Sequence, residues 1–339
     1  MGCIPWFHGR WTRLRVLSIA AGALATAASM AAPSYAGTVT FGSGSNVFNM
    51  EFVTIGNPNN LADTTGSPNP AGSVGYTYGI GKFEVSEDMI TKYNADFGTA
   101  NSLAITKDTR GTAKPATNVS WNEAARFVNW LNTSTGNQAA YKFTSSGVND
   151  NIALWTSGEA GYDVNNKYRN SLAKYFLPSY NEWYKAAYYN STNSTYYDYT
   201  TGSNTAPIAV ASGTGAGTAV YGGGSVTGPA DVDKAGGLSP YGVMGLGGNV
   251  YEWEESSGNL ANSDGSALRG FRGGAWYHQS NKLLSSARDI DGNPSEDRVD
   301  RGFRVASLSS DAAVPEPSMM VIGTLFGLGG LMAKRRMKK

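Results

Sequence analysis

The sequence predicts one large, loop-rich domain of strands and short helices packed around Trp and Tyr, carried between two tails that do not belong to the fold. Three observations carry this. Glycine supplies 43 of the 339 residues and aromatics 12 %, a composition for many turns and little long helix. Two segments, Ser120-Trp121-Asn122-Glu123 and Ser179-Tyr180-Asn181-Glu182, start helices in the same Ser-x-x-Glu code. The only cysteine is Cys3, so no disulfide staples the domain and its stability must come from a core. About 280 residues remain between the tails, enough for one such domain.

The first tail places Arg10, Arg13 and Arg15 before an uncharged stretch from Val16 to Ala32 and the small residues Ser34 and Ala36. Basic, apolar and small-x-small regions in that order read as a signal peptide over residues 1–36. Residues 37–74 form an N-terminal strand region, with alternation in Phe48-Asn49-Met50-Glu51-Phe52-Val53. Tyr76 to Val85 is a second strand, rich in aromatic and β-branched residues. Ser86 then caps a short helix whose apolar stripe is Met89, Tyr93 and Phe97.

In each Ser-x-x-Glu start, hydroxyl and carboxylate cap each other's free backbone donors. Capping, not catalysis, is therefore the role expected of Glu123 and Glu182. Residues 190–229 are Ser, Thr, Asn, Gly and Tyr with few charges, an inserted surface loop poorly able to bury a core. Glycine-rich, aromatic segments follow: Tyr241 to Trp253, Arg269 to Trp276, and Arg301-Gly302-Phe303-Arg304.

The second tail reads Val314-Pro315-Glu316-Pro317-Ser318, an apolar run from Met319 to Ala333, then Lys334, Arg335, Arg336, Lys338 and Lys339. Motif, apolar run and basic cluster over 314–339 resemble the PEP-CTERM sorting signal of exported bacterial proteins. The resemblance implies transient inner-membrane retention through the short transmembrane segment 319–333, and a C-terminal sorting and processing machinery as partner. A plain membrane anchor is the alternative. The tails hold 8 of the 27 basic and 1 of the 26 acidic residues, leaving a mature part of 19 basic and 25 acidic, net −6. An acidic domain has no electrostatic footprint for nucleic acid.

Between about Gly75 and Ala306 the ordered motifs resemble the formylglycine-generating, sulfatase-modifying-factor family, giving a domain over residues 75–308. The residues that carry this are Glu84-Val85, Asn118 to Ala124, Leu177-Pro178-Ser179-Tyr180-Asn181-Glu182-Trp183, Tyr241 to Trp253, Arg272-Gly273-Gly274-Ala275-Trp276 and Arg301 to Arg304. The resemblance implies an α+β, much-elaborated C-type-lectin-like fold. Two departures stand out. Phe176 occupies a position before Leu-Pro where the family usually has Arg. Counting from Arg272-Gly273-Gly274, His278 and Leu283 stand where oxidase members place two copper-binding cysteines. Soft copper(I) requires thiolates, so copper is not expected and formylglycine-generating activity is not either.

The remaining candidates are few. His278 is the only histidine after the signal peptide, which excludes a two-histidine iron site and a multi-histidine zinc site. It could serve as a general base, but no G-x-S-x-G elbow presents a nucleophile. With Trp276 and Arg272 it marks a candidate cleft. The resemblance implies structural calcium at Asn249 and Glu252 through side chains, with main-chain carbonyls of Gly248 and Val250; the alternative is a turn cap at Asn249 and a solvent-facing Glu252. Asp289-Ile290-Asp291-Gly292-Asn293 lacks the Gly and Glu of an EF-hand and reads as a polar turn. Glu252, Glu254 and Glu255 read as acidic residues of a solvated loop. The function expected is an exported, non-catalytic domain that binds extracellular polysaccharide or envelope components, or gives structure there. A divergent metal-dependent oxidoreductase of the same class is the alternative.

Overall fold

The computed structural model describes residues 1–2 and 35–308. The chain divides into units Met1–Ala32 and Pro33–Lys339, and the account below concerns the second. Both expected sorting segments, apart from Met1, Gly2, Tyr35 and Ala36, lie outside the described residues. Among the described residues, no helix is long and apolar enough to cross a membrane.

In chain order the first elements are strands β1 (Tyr35–Phe41), β2 (Phe48–Ile55) and β3 (Tyr78–Gly81), helices α1 (Glu87–Tyr93) and α2 (Trp121–Ser134), strand β4 (Tyr175–Phe176) and helix α3 (Tyr180–Tyr188). Short strands β5 (Tyr189–Asn190), β6 (Thr195–Tyr196), β7 (Ile208–Ala209) and β8 (Thr218–Ala219) follow. The last are β9 (Tyr251–Ser257), β10 (Arg269–Arg272), β11 (Asp289–Gly292), β12 (Arg301–Gly302) and β13 (Ala306–Leu308). One sheet runs β1-β2-β3-β13-β4 and a second β11-β10-β9-β12. The C-terminal strand thus enters the sheet begun by the N-terminal hairpin, with Ala306 opposite both Ile80 and Phe176.

Both Ser-x-x-Glu starts form as capping boxes on α2 and α3, and the Ser86 hydroxyl accepts the Met89 N–H on α1. The alternation in β2 buries Phe48, Met50 and Phe52, and Val53 beside them is buried as well. Trp121 at the start of α2 donates from its indole to the Glu254 carbonyl at 2.8 Å, and Trp253 donates to Val119 O at 2.9 Å. These indoles lock α2 to β9 while burying large apolar surfaces, since a buried N–H must find an acceptor. Asn132, fully buried, donates to Tyr175 O and accepts the N–H groups of Lys174 and Tyr175, which ties α2 to β4.

The structure departs from the sequence reading in three places. Residues 190–229 are more than a surface loop: Tyr199, Ala219, Val220, Tyr221 and Val226 are buried, because their scattered apolar groups find partners elsewhere in the chain. Asp289 to Gly292 is a strand paired with β10, its backbone donors satisfied by a ladder that no local pattern announces. The glutamates of β9 are interior, as described next.

Candidate functional site

All seven residues of β9 are buried, and Glu252, Glu254 and Glu255 are each 0 % exposed. A carboxylate removed from water is stable only when paired, and each has its partners. Arg304 donates from Nε to Glu252 Oε2 at 2.6 Å and from Nη2 to Oε1, while the Trp183 indole donates to Oε2 at 2.7 Å. Arg304 also donates to the carbonyls of Gly81 and Met244. Glu254 accepts from Arg272 Nε at 2.7 Å and from Arg288 Nε at 2.8 Å. Glu255 accepts from the Tyr141 hydroxyl and from Asn166; burial pushes its carboxyl up to about 7, with the nearby Arg169 acting against that rise. The solvated acidic loop expected here is instead a buried strand neutralised from distant segments.

The expected calcium ligands fall in the same region. Gly248 and Asn249 sit in left-handed conformations, φ +82° and +59°, and a Cβ at Gly248 would lie 2.3 Å from the Val220 carbonyl oxygen. Only glycine fits there. Asn249 accepts the Ala230 N–H at 2.8 Å through Oδ1 and donates at 2.9 Å to Glu84 Oε1. Val250 is fully buried. With both Glu252 oxygens held by Arg304 and the Asn249 oxygen held by Ala230, the donor set as folded does not fit calcium. Among the described residues no group of three or more His, Cys, Asp or Glu could hold a metal. Glu84 is pushed up to about 8 by burial, with Arg304 opposing.

Nor do the three cleft candidates share one cleft. Arg272 is an interior residue, paired with Glu254 and lying over the rings of Trp183 and Tyr184. Trp276, 8 % exposed, lies under the Arg110 guanidinium, 5.0 Å from it. His278 is half-buried between Tyr251 and Tyr277, at ring distances of 4.9 and 4.2 Å. Its Nδ1 accepts the Ala275 N–H at 3.0 Å. Burial holds the imidazole below its ordinary pKa, consistent with a neutral ring whose Nδ1 must stay unprotonated to accept. Its carbonyl accepts the N–H groups of Gly222 and Gly223. Leu283, 1 % exposed, packs with Tyr199, Ala219 and Tyr221. Tyr199, Ala219 and Tyr221 thus cover Leu283, while Gly222 and Gly223 hold only the backbone of the half-buried His278.

One interior cation escaped the sequence reading. Arg169 pairs with Glu182 at 3.2 Å and Glu255 at 3.3 Å, and its guanidinium lies 3.8 Å over the Phe176 ring. The guanidinium thus lies against the residue that stands where the resemblance leads one to expect an arginine. Beside it is a pocket of about 170 Å³ lined by Tyr76, Asp163, Asn166, Arg169, Ser171 and Leu308, among others. No motif surrounds Arg169; the absent arginine at Phe176 was the only signal available.

Comparisons agree with this architecture. Residues 30–308 match the model of the sulfatase-modifying factor enzyme 1-like domain. The Treponema denticola variable protein 1 structure is similar at 22 % identity and TM-score 0.54, over 80 % of this chain and 99 % of that one. The CarF crystal structure is similar at 20 % identity and TM-score 0.56, over 76 % and 98 %. At these identities the likeness is one of fold. No curated protein sequence matches the chain.

Proposed function

The chain belongs to the sulfatase-modifying factor enzyme 1-like family, with its elaborated C-type-lectin-like α+β fold, and from that membership we propose an exported domain that binds rather than oxidises. Fold does not carry activity by itself, so the reading rests on the site. The observation that carries it is the state of the two cysteine-equivalent positions. Leu283 is sealed under Tyr199 and Tyr221, and the His278 imidazole is committed to the Ala275 N–H. Neither side chain supplies a thiolate for copper(I), and the burial of Leu283 at 1 % exposure leaves no approach for a substrate thiol at that position. The test is incubation of the purified chain with a sulfatase-motif peptide and added copper. No aldehyde above a metal-only control is expected; aldehyde above it would overturn the non-catalytic reading.

Reading 1–36 as a signal peptide and 314–339 as a PEP-CTERM sorting signal supports a location at the cell envelope or in the extracellular matrix. Cleavage before Gly37 would remove Tyr35 and Ala36 but leave the β1–β2 pairing from Gly37 to Phe41. Mass spectrometry of the exported protein is expected to find a new N-terminus near Gly37 and loss of the tail near Pro315-Glu316-Pro317. Surface-located protein ending in Lys338-Lys339 would leave a plain anchor instead.

A further inference from the structure

We propose that the face formed by residues 161–174, Tyr76 and the end of β13 lies on the lipid bilayer that holds the chain's own C-terminal apolar run. This rests on the reading of 314–339 as a membrane-retained sorting signal, and it assigns the domain a membrane-facing side. The first argument is where the chain leaves the fold. Strand β13 ends at Leu308, and ten residues, 309–318, separate it from the apolar run that begins at Met319. Ten residues span at most about 35 Å, so this end of the domain stays close to the bilayer for as long as the tail is retained.

The second argument is what surrounds that exit. Leu308 lines a depression together with Tyr76, Asp163, Ser171 and Ala173. Tyr76 is 42 % exposed, and Val164 and Leu172, next in sequence to Asp163 and Ser171, are 66 % and 60 % exposed. One such side chain is ordinary on a protein surface. Three around the departure point of an apolar tail match a membrane interaction site.

The third argument is charge. Among the described residues neither Lys167 nor Lys174 forms an ion pair. The Lys174 amine lies 5.5 Å over the Tyr175 ring, and its carbonyl accepts the Leu308 N–H at 2.8 Å, which puts this cation beside the exit. Arg169 is neutralised by Glu182 and Glu255, so Asp163 is the one acidic group in residues 161–174 against two free cations. The local balance is positive on a mature part that is net −6. Lysine stems lie along apolar surface while their amines reach anionic headgroups. Individually weak contacts suffice, because a short tether holds the face at an effective concentration on the order of millimolar.

The experiment reconstitutes the exported chain, tail intact and made from a Cys3→Ser precursor, in vesicles of phosphatidylethanolamine and phosphatidylglycerol. A fluorophore is attached at Leu172→Cys or at Ile208→Cys, which is 70 % exposed on the separate β7–β8 ribbon. Lipid carrying a nitroxide quencher at the headgroup is expected to dim the label at 172 several-fold and to leave the label at 208 nearly unchanged. Adding Lys167→Glu with Lys174→Glu should restore most of the emission at 172. Equal quenching at the two positions, or none at 172 in protein that floats with the vesicles, would overturn the docking alone. Full quenching in the double lysine variant would overturn the part assigned to the two cations. Protein that does not float with the vesicles would remove the membrane reading of 319–333, and the docking with it. The aldehyde assay depends on none of these results, so the non-catalytic reading stands or falls separately.

Discussion

Arg304→Met is expected to lower stability by about 3–5 kcal/mol, the cost of leaving a buried charge without its partner. Glu252 would keep only the Trp183 indole, and the Gly81 and Met244 carbonyls would lose their donor. For a domain of this size each kcal/mol moves the melting temperature by about 2–4 °C, so a fall on the order of 10 °C is expected in a thermal melt. The double variant Arg304→Met with Glu252→Leu should recover part of that loss, because replacing both partners removes the uncompensated charge. A single variant that melts within a degree or two of the parent would show that the pair does not hold β9.

Glu254→Gln is expected to cost a similar 3–5 kcal/mol, for the opposite reason. The amide is nearly the same size, so no cavity forms, yet Arg272 and Arg288 are left as two buried cations, 0 % and 3 % exposed, that shared one carboxylate. Asp88→Asn, which breaks the half-exposed Lys92–Asp88 pair at 2.8 Å, supplies the contrast and should cost under about 1 kcal/mol. Urea unfolding of the three proteins side by side measures the difference. Equal effects at Glu254 and Asp88 would contradict the claim that the β9 pairs are interior.

The helix starts were legible because their code is local: Ser120 and Glu123, or Ser179 and Glu182, lie three residues apart and form the caps the sequence announces. The strand at Phe48 was legible from its alternation. The glutamates of β9 were not. Their charge reads as a solvated surface, and what reverses the reading lies 52 residues away in Arg304 and 18 residues away in Arg272. Pairing at that distance is tertiary and leaves no local trace. The same holds for residues 190–229, whose tyrosines find Leu283 far along the chain. The sequence reading names Asn249 and Glu252 as calcium ligands, with a turn cap and a solvent-facing carboxylate as the alternative. Their partners turned out to be Glu84, Ala230 and Arg304, because an interior strand surrounded by arginine neutralises its carboxylates within the protein.

The central claim, that Leu283 is closed off, is tested most directly by thiol labelling of Leu283→Cys, with Cys3 replaced by Ser wherever the N-terminal segment is retained. Leu283 is 1 % exposed and Tyr277 is 42 % exposed, so Tyr277→Cys provides the open reference. Labelling at position 283 is expected to be orders of magnitude slower than at 277 and to reach the same rate only in denaturant, since it must wait for local opening. Labelling in the native protein as fast as at position 277 would mean that Tyr199, Ala219 and Tyr221 do not seal position 283, and the case for a domain that binds without oxidising would lose its structural support.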